Sequence, residues 1–106
     1  MEIGEFQGII RDCYGERDAA RGTAAALAWL VEEIGELSRA LRTGGRQEAL
    51  EEFADVLAWL ASLADLCGIS LEEAAGRYAG GCPKCRRSPC RCPGGPPGFA
   101  DGRTVL

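Results

Sequence analysis

The chain has 106 residues, 46% apolar and 26% charged, a composition that suits one soluble globular domain. It carries a net charge of −4 and no histidine, which excludes Ser-His and Cys-His catalysis, His-ligated zinc and the Glu-x-x-His di-iron bundles. No stretch is long or apolar enough to span a membrane and no signal peptide opens the chain, so a cytoplasmic protein is expected.

Residues 2–14 place Ile3, Phe6, Ile9, Ile10 and Cys13 at three- and four-residue spacing, which predicts a first helix. Tyr14 to Gly22 is polar and reads as a connector, with Thr23 as the N-cap of the next helix. Residues 23–43 form that second helix, with Leu27, Leu30, Val31, Ile34, Leu37 and Leu41 as its apolar stripe and Gly44 as its stop. Residues 46–67 form a third, with Leu50, Phe53, Val56, Leu57, Leu60, Leu63 and Ala64 as its stripe. Gly68 ends it, with Ile69 closing over the end. Ser70 and Glu73 fit a capping box that starts a fourth helix running to about Ala79. The break at Thr43–Arg46 is short enough to make its flanking helices antiparallel. The expected architecture is all-α: an antiparallel hairpin between two shorter helices. One such chain has a thin core, so two hairpins are expected to dimerise into a larger bundle.

Charge divides along the same line as composition. Residues 1–79 hold 15 acidic and 7 basic side chains, a net of −8. From residue 80 on, Lys84, Arg86, Arg87, Arg91 and Arg103 face only Asp101, a net of +4. Residues 1–79 are therefore read as the helical domain and 80–106 as a basic tail rich in Cys, Gly and Pro, with a flexible terminus from Gly94. An acidic body makes nucleic-acid binding there unexpected and suits a protein that concentrates cations.

Glu33, Glu36, Glu52 and Asp55 stand in mirror image about Gly44, as do Trp29 and Trp59. On antiparallel helices each carboxylate then has a counterpart at its own level. The i, i+3 spacing puts each pair one turn apart on one face, beside the apolar stripe. Four such carboxylates repel one another unless a cation holds them. The matching ion is hard and oxygen-seeking: magnesium, with manganese as a substitute. It would bring a phosphate substrate and a water of lowered pKa. Glu32 adjoins the set and is the candidate to orient that water or take its proton. The competing reading is a solvated face, in which Glu32, Glu33 and Glu36 pair with Arg39, Arg42 and Arg46. At least one tryptophan reads as a core or dimer-interface residue, and an aromatic beside a phosphate site could also stack a base.

The segments Glu32-Glu33-Ile34-Gly35-Glu36-Leu37 and Glu52-Phe53-Ala54-Asp55-Val56 resemble the E-E-x-x-E and E-x-x-D motifs of the MazG-type nucleotide pyrophosphohydrolases. The Trp-Leu-Ala-x-Leu-Ala run from Trp59 and the segment Gly68–Glu73 are similar to that family too, and the likeness covers roughly residues 5–79. It implies an all-α dimer or tetramer that hydrolyses nucleoside triphosphates, often deoxynucleotides, to monophosphate and pyrophosphate with magnesium. By position, Glu33, Glu36, Glu52 and Asp55 would be the metal ligands, and Glu32 a ligand or water-orienting acid. The family's basic phosphate-binding side chains have no lysine counterpart before Lys84. Arg17, Arg21, Arg39 and Arg77 are the candidates, with Trp29 beside the substrate.

The tail carries Cys82, Cys85, Cys90 and Cys92 in the pattern C-x2-C-x4-C-x-C. Four thiols so close in a cytoplasmic chain favour a structural zinc knuckle over disulfides, free thiols or a redox pair, with an iron–sulfur cluster as a lesser alternative. Cys13 and Cys67 are expected to be buried thiols. The rival to the enzyme is a non-catalytic helical module whose basic zinc tail binds nucleic acid or a protein partner.

Overall fold

The first helix is longer than its apolar spacing predicts. In the computed structural model, which describes residues 1–93, α1 spans Ile3–Arg21 and runs through the expected connector. The terminus expected to be flexible from Gly94 lies outside the described residues. Residues 14–21 are mostly Glu, Arg and Ala, good helix formers that need no apolar stripe to hold the conformation. The turn is also not where a long linker would put it. Gly22 alone caps the end of α1 and the start of α2 (Thr23–Thr43), at φ 90° and ψ 166°, a backbone state open to glycine. Thr23 is thus the first residue of α2, not its cap.

The hairpin is as expected. Gly44 caps α2 in extended conformation, and α3 covers Arg46–Leu66. At the far end the Gly68 N–H donates to the Asp65 carbonyl (3.0 Å) and the Ile69 N–H to the Ala64 carbonyl (2.8 Å), with Gly68 at φ 69°. That is a Schellman turn, which satisfies the last carbonyls of α3. The fourth helix is shorter than expected: α4 is Leu71–Ala75, and the chain tightens into a 3-10 turn over Gly76–Tyr78, where glycine weakens the helix. There is no strand among the described residues, so the all-α reading holds.

Backbone packing separates a first unit, Met1–Glu72, from a second that begins at Glu73. The first unit is α1 laid against the hairpin. Its buried apolar side chains are few and mostly small: Ile10, Ala26, Leu30, Ala40, Ala61, Ala64 and Leu71. The alanines let the helices approach closely, a contribution that a search for large apolar residues overlooks. A buried glutamine joins the helices. Gln7 Nε2 donates to Asp65 Oδ1 and to the Ile69 carbonyl, and Gln7 Oε1 accepts from the Leu71 N–H, each at 2.8 Å. Arg11 adds an ion pair to the same Asp65 oxygen at 2.9 Å. Every polar atom of Gln7 is thereby used, as burial of an amide requires.

Much of both expected stripes faces outward. Leu27, Val31, Ile34 and Leu41 on α2, and Leu50, Phe53, Leu57 and Leu60 on α3, are exposed in the single chain. Cys13 and Cys67 are exposed too, against expectation. Cys13 turns aside from the inward line of Gln7 and Ile10, and Cys67 caps the open end of α3. No single helix among the described residues is long and apolar enough to cross a membrane.

Candidate functional site

The Thr43–Arg46 turn sets Glu33 of α2 opposite Glu52 and Asp55 of α3. Carboxylate oxygens of these three residues lie within 4.8 Å of one another. Glu36, one turn along α2, is outside that group and accepts from Arg39 Nη2 at 3.1 Å. Glu32 is exposed and also outside it.

Electrostatics mark the group as a site under tension. Glu52 Oε2 is the one buried side-chain oxygen without a hydrogen-bond partner among the described residues. An acceptor in that position costs free energy until something positive meets it. The Glu33 carboxyl is held above the usual carboxylate range, first by partial burial, then by the charge of Asp55, by a hydrogen bond with Glu52, and by the charges of Glu52 and Glu36. Oxygen donors converging at this spacing, one of them unsatisfied, fit a hard divalent cation such as magnesium.

Asp55 also borders a cleft of about 220 Å³, lined by Tyr14, Arg17, Asp18, Arg21, Ala58, Trp59 and Ser62 besides itself. Its far wall is the part of α1 that reads as a connector in the sequence. Arg21 is fixed in place by an ion pair to buried Asp18 (3.0 Å), and its guanidinium lies 4.8 Å from the centre of the Trp59 ring. Trp59 in turn stacks on Trp29, with centroids 5.9 Å apart and planes at 13°. The structure therefore brings Arg17 and Arg21 to one cleft with an acid of the cluster. It leaves Arg39 on Glu36 and places Arg77 in the second unit. Trp29 does not line the cleft itself but backs the tryptophan that does.

Tyr14, Asp18 and Ser62 are cleft residues that pattern reading missed. The available signal was the Asp18-x-x-Arg21 spacing within a run of helix formers.

In the second unit the four tail cysteines converge, their sulfurs within 4.8 Å of one another. Backbone N–H groups of Cys85 and Lys84 hold the Cys82 thiol down to about 6. The Arg91 N–H lowers Cys85, which it approaches at 3.3 Å. Cys92 is pushed up to about 12 by its neighbours Cys90 and Cys82.

Two comparisons bear on this geometry. The family model described as the MazG nucleotide pyrophosphohydrolase domain matches residues 21–87. The match takes in Glu33, Glu52 and Asp55 and ends before Cys90. An uncharacterized protein of Bacillus subtilis (strain 168), YvdC, is 30% identical over 90 residues, covering 69% of this chain and 85% of that protein.

Proposed function

The chain belongs to the MazG nucleotide pyrophosphohydrolase family, and from that premise we propose that it is a cytoplasmic, magnesium-dependent enzyme that hydrolyses nucleoside triphosphates, deoxynucleotides among them, to the monophosphate and pyrophosphate. The observation that carries the reading is the convergence of Glu33, Glu52 and Asp55 around an unsatisfied buried oxygen, beside a cleft lined with arginine.

Glu33, Glu52 and Asp55 would hold the ion, with Glu36 one turn away adding its charge. Magnesium bound there supplies charge neutralisation for the phosphates and lowers the pKa of water. The side chains do the rest. Arg17 and Arg21 offer guanidinium donors to phosphate oxygens, and Asp18 keeps Arg21 from swinging into solvent. Trp59, stacked on Trp29, carries the Arg21 guanidinium over its ring and so helps hold that cation in the cleft. Glu32, next to Glu33 on α2, would be a further ligand or orient the attacking water as the bond between the α- and β-phosphates breaks and pyrophosphate leaves.

The exposed apolar stripes of α2 and α3 support assembly of two or more copies, hairpin against hairpin. A patch of eight large apolar side chains on so small a unit is costly to leave in water.

A panel of common and damaged dNTPs with magnesium, read out as pyrophosphate, tests the proposal. Release of pyrophosphate, not orthophosphate, from at least one of them is expected. Inertness of the whole panel with both magnesium and manganese would leave the non-catalytic module as the better account.

A further inference from the structure

The second unit has a problem that its own packing does not solve. None of the described residues from Glu73 to Pro93 is buried. Yet the chain here adopts a specific loop. The Arg86 N–H donates to the Cys82 carbonyl at 2.6 Å, and the Cys82 N–H to the Arg87 carbonyl at 3.1 Å. Arg86 itself sits at φ 62°, the left-handed region that a non-glycine residue enters at a cost of about 1 kcal/mol or more. Something other than an apolar core must keep this loop folded.

The sulfurs show what it is. Cys82 Sγ and Cys92 Sγ are 3.7 Å apart, and Cys85 Sγ and Cys90 Sγ are 4.0 Å apart. Sulfurs bound tetrahedrally at about 2.3 Å from one zinc ion stand roughly 3.8 Å from each other. Both spacings are far beyond the ~2.05 Å of a disulfide. All four sulfurs lie within 4.8 Å, a cage for one ion and too small to spread over a multi-iron cluster. Backbone N–H groups already point at the sulfurs: Arg91 to Cys85 at 3.3 Å and Cys92 to Cys90 at 3.4 Å. Such donors stabilise thiolate charge, the outer-shell support that metal sites require. Lys84, Arg86, Arg87 and Arg91 offset the net negative charge of four thiolates on one dication.

We propose that Cys82, Cys85, Cys90 and Cys92 bind one zinc ion in a closed tetrahedral site, and that this ion folds residues 80–93. With four protein ligands there is no open coordination position, so the site is structural and takes no part in hydrolysis. The zinc site stands independently of the acidic cluster and of the enzymatic reading.

The full chain, purified without added metal, should contain one zinc per chain by elemental analysis. Replacement by cobalt should give the intense sulfur-to-cobalt charge-transfer and ligand-field bands of a tetrahedral tetrathiolate. In the zinc form two of the six cysteines, Cys13 and Cys67, should react quickly with a thiol reagent, and all six after a strong chelator. Asp55→Asn should keep its zinc, whereas Cys85→Ser and Cys90→Ser should lose it, with helical circular dichroism retained. Rapid reaction of all six thiols without chelator, sulfurs titrating only after reductant, or the visible absorption of a thiolate-bound iron would each overturn the proposal.

Discussion

The two units of this chain solve the same problem with different materials. The first draws cohesion from apolar side chains and a fully satisfied buried glutamine. The second, in its described part, buries nothing, and gathers four sulfurs where a core would be. A segment of some twenty residues cannot bury enough surface to offset its ordering entropy, so cross-linking chemistry must substitute for packing. The contrast extends to charge: acids cluster in the first unit and bases in the second, each suited to a different kind of cation site.

The sharpest way to test this division is to strike the acid site alone. Asp55→Asn should lower pyrophosphate release by on the order of 10²-fold or more, as loss of a group that stabilises transition-state charge does. The metal-free variant should be at least as stable to heat as the parent chain, because one of the mutually repelling charges is gone, and the protection of its tail thiols should stay as in the parent chain. Loss of thiol protection in this variant would show that the units are not independent.

Next in size is damage to the apolar core. Leu30→Ala or Ile10→Ala should destabilise the helices by about 2–4 kcal/mol in urea unfolding. Zinc content should not change. Equal loss in both units would contradict the separation.

Arg21→Gln is the third test. It leaves Asp18 buried without its cation, at a cost of about 1–3 kcal/mol. It should also raise KM for the nucleotide more than it lowers kcat, because Arg21 lines the cleft but is not among the residues that gather around the ion. An unchanged KM would remove Arg21 from the substrate.

The smallest effect concerns pH. Glu33 has a raised pKa in the folded, metal-free chain. The folded state therefore holds its proton more tightly than the unfolded state, and that contribution is complete below the usual 4.5. It is lost as pH rises through the raised value. Metal-free protein should become slightly less stable across that window, and Glu33→Gln should flatten the dependence. Added magnesium should stabilise most above the window, where the carboxylate is ionised.

Legibility in the sequence varied with the kind of signal. The hairpin was legible because Gly44-Gly45 interrupts two strongly periodic segments, and the end of α3 because Gly68 meets a Schellman geometry. The last two turns of α1 were not, since polar helix formers leave no periodic stripe. Without those turns Tyr14 and Asp18 have no place in a site and the cleft is invisible, although Arg17 and Arg21 stand among the candidates. The exposure of Cys13 and Cys67 is hidden for a related reason: apolar spacing gives a face but not what covers it.

By itself, the sequence determined the helical class, the antiparallel hairpin, the family, and the residue types available for metal chemistry. These follow from local periodicity, glycine stops and motif spacing, which act within a few residues. Only the tertiary structure decided that Glu33, Glu52 and Asp55 converge while Glu36 turns to Arg39, and that α1 supplies the cleft's arginine wall. It also decided that the four sulfurs meet within 4.8 Å of one another. The first two outcomes depend on how separate helices pack and on which side chains then share a site, which no local pattern encodes; the cysteine cluster was legible in its spacing, and only its distances come from the structure.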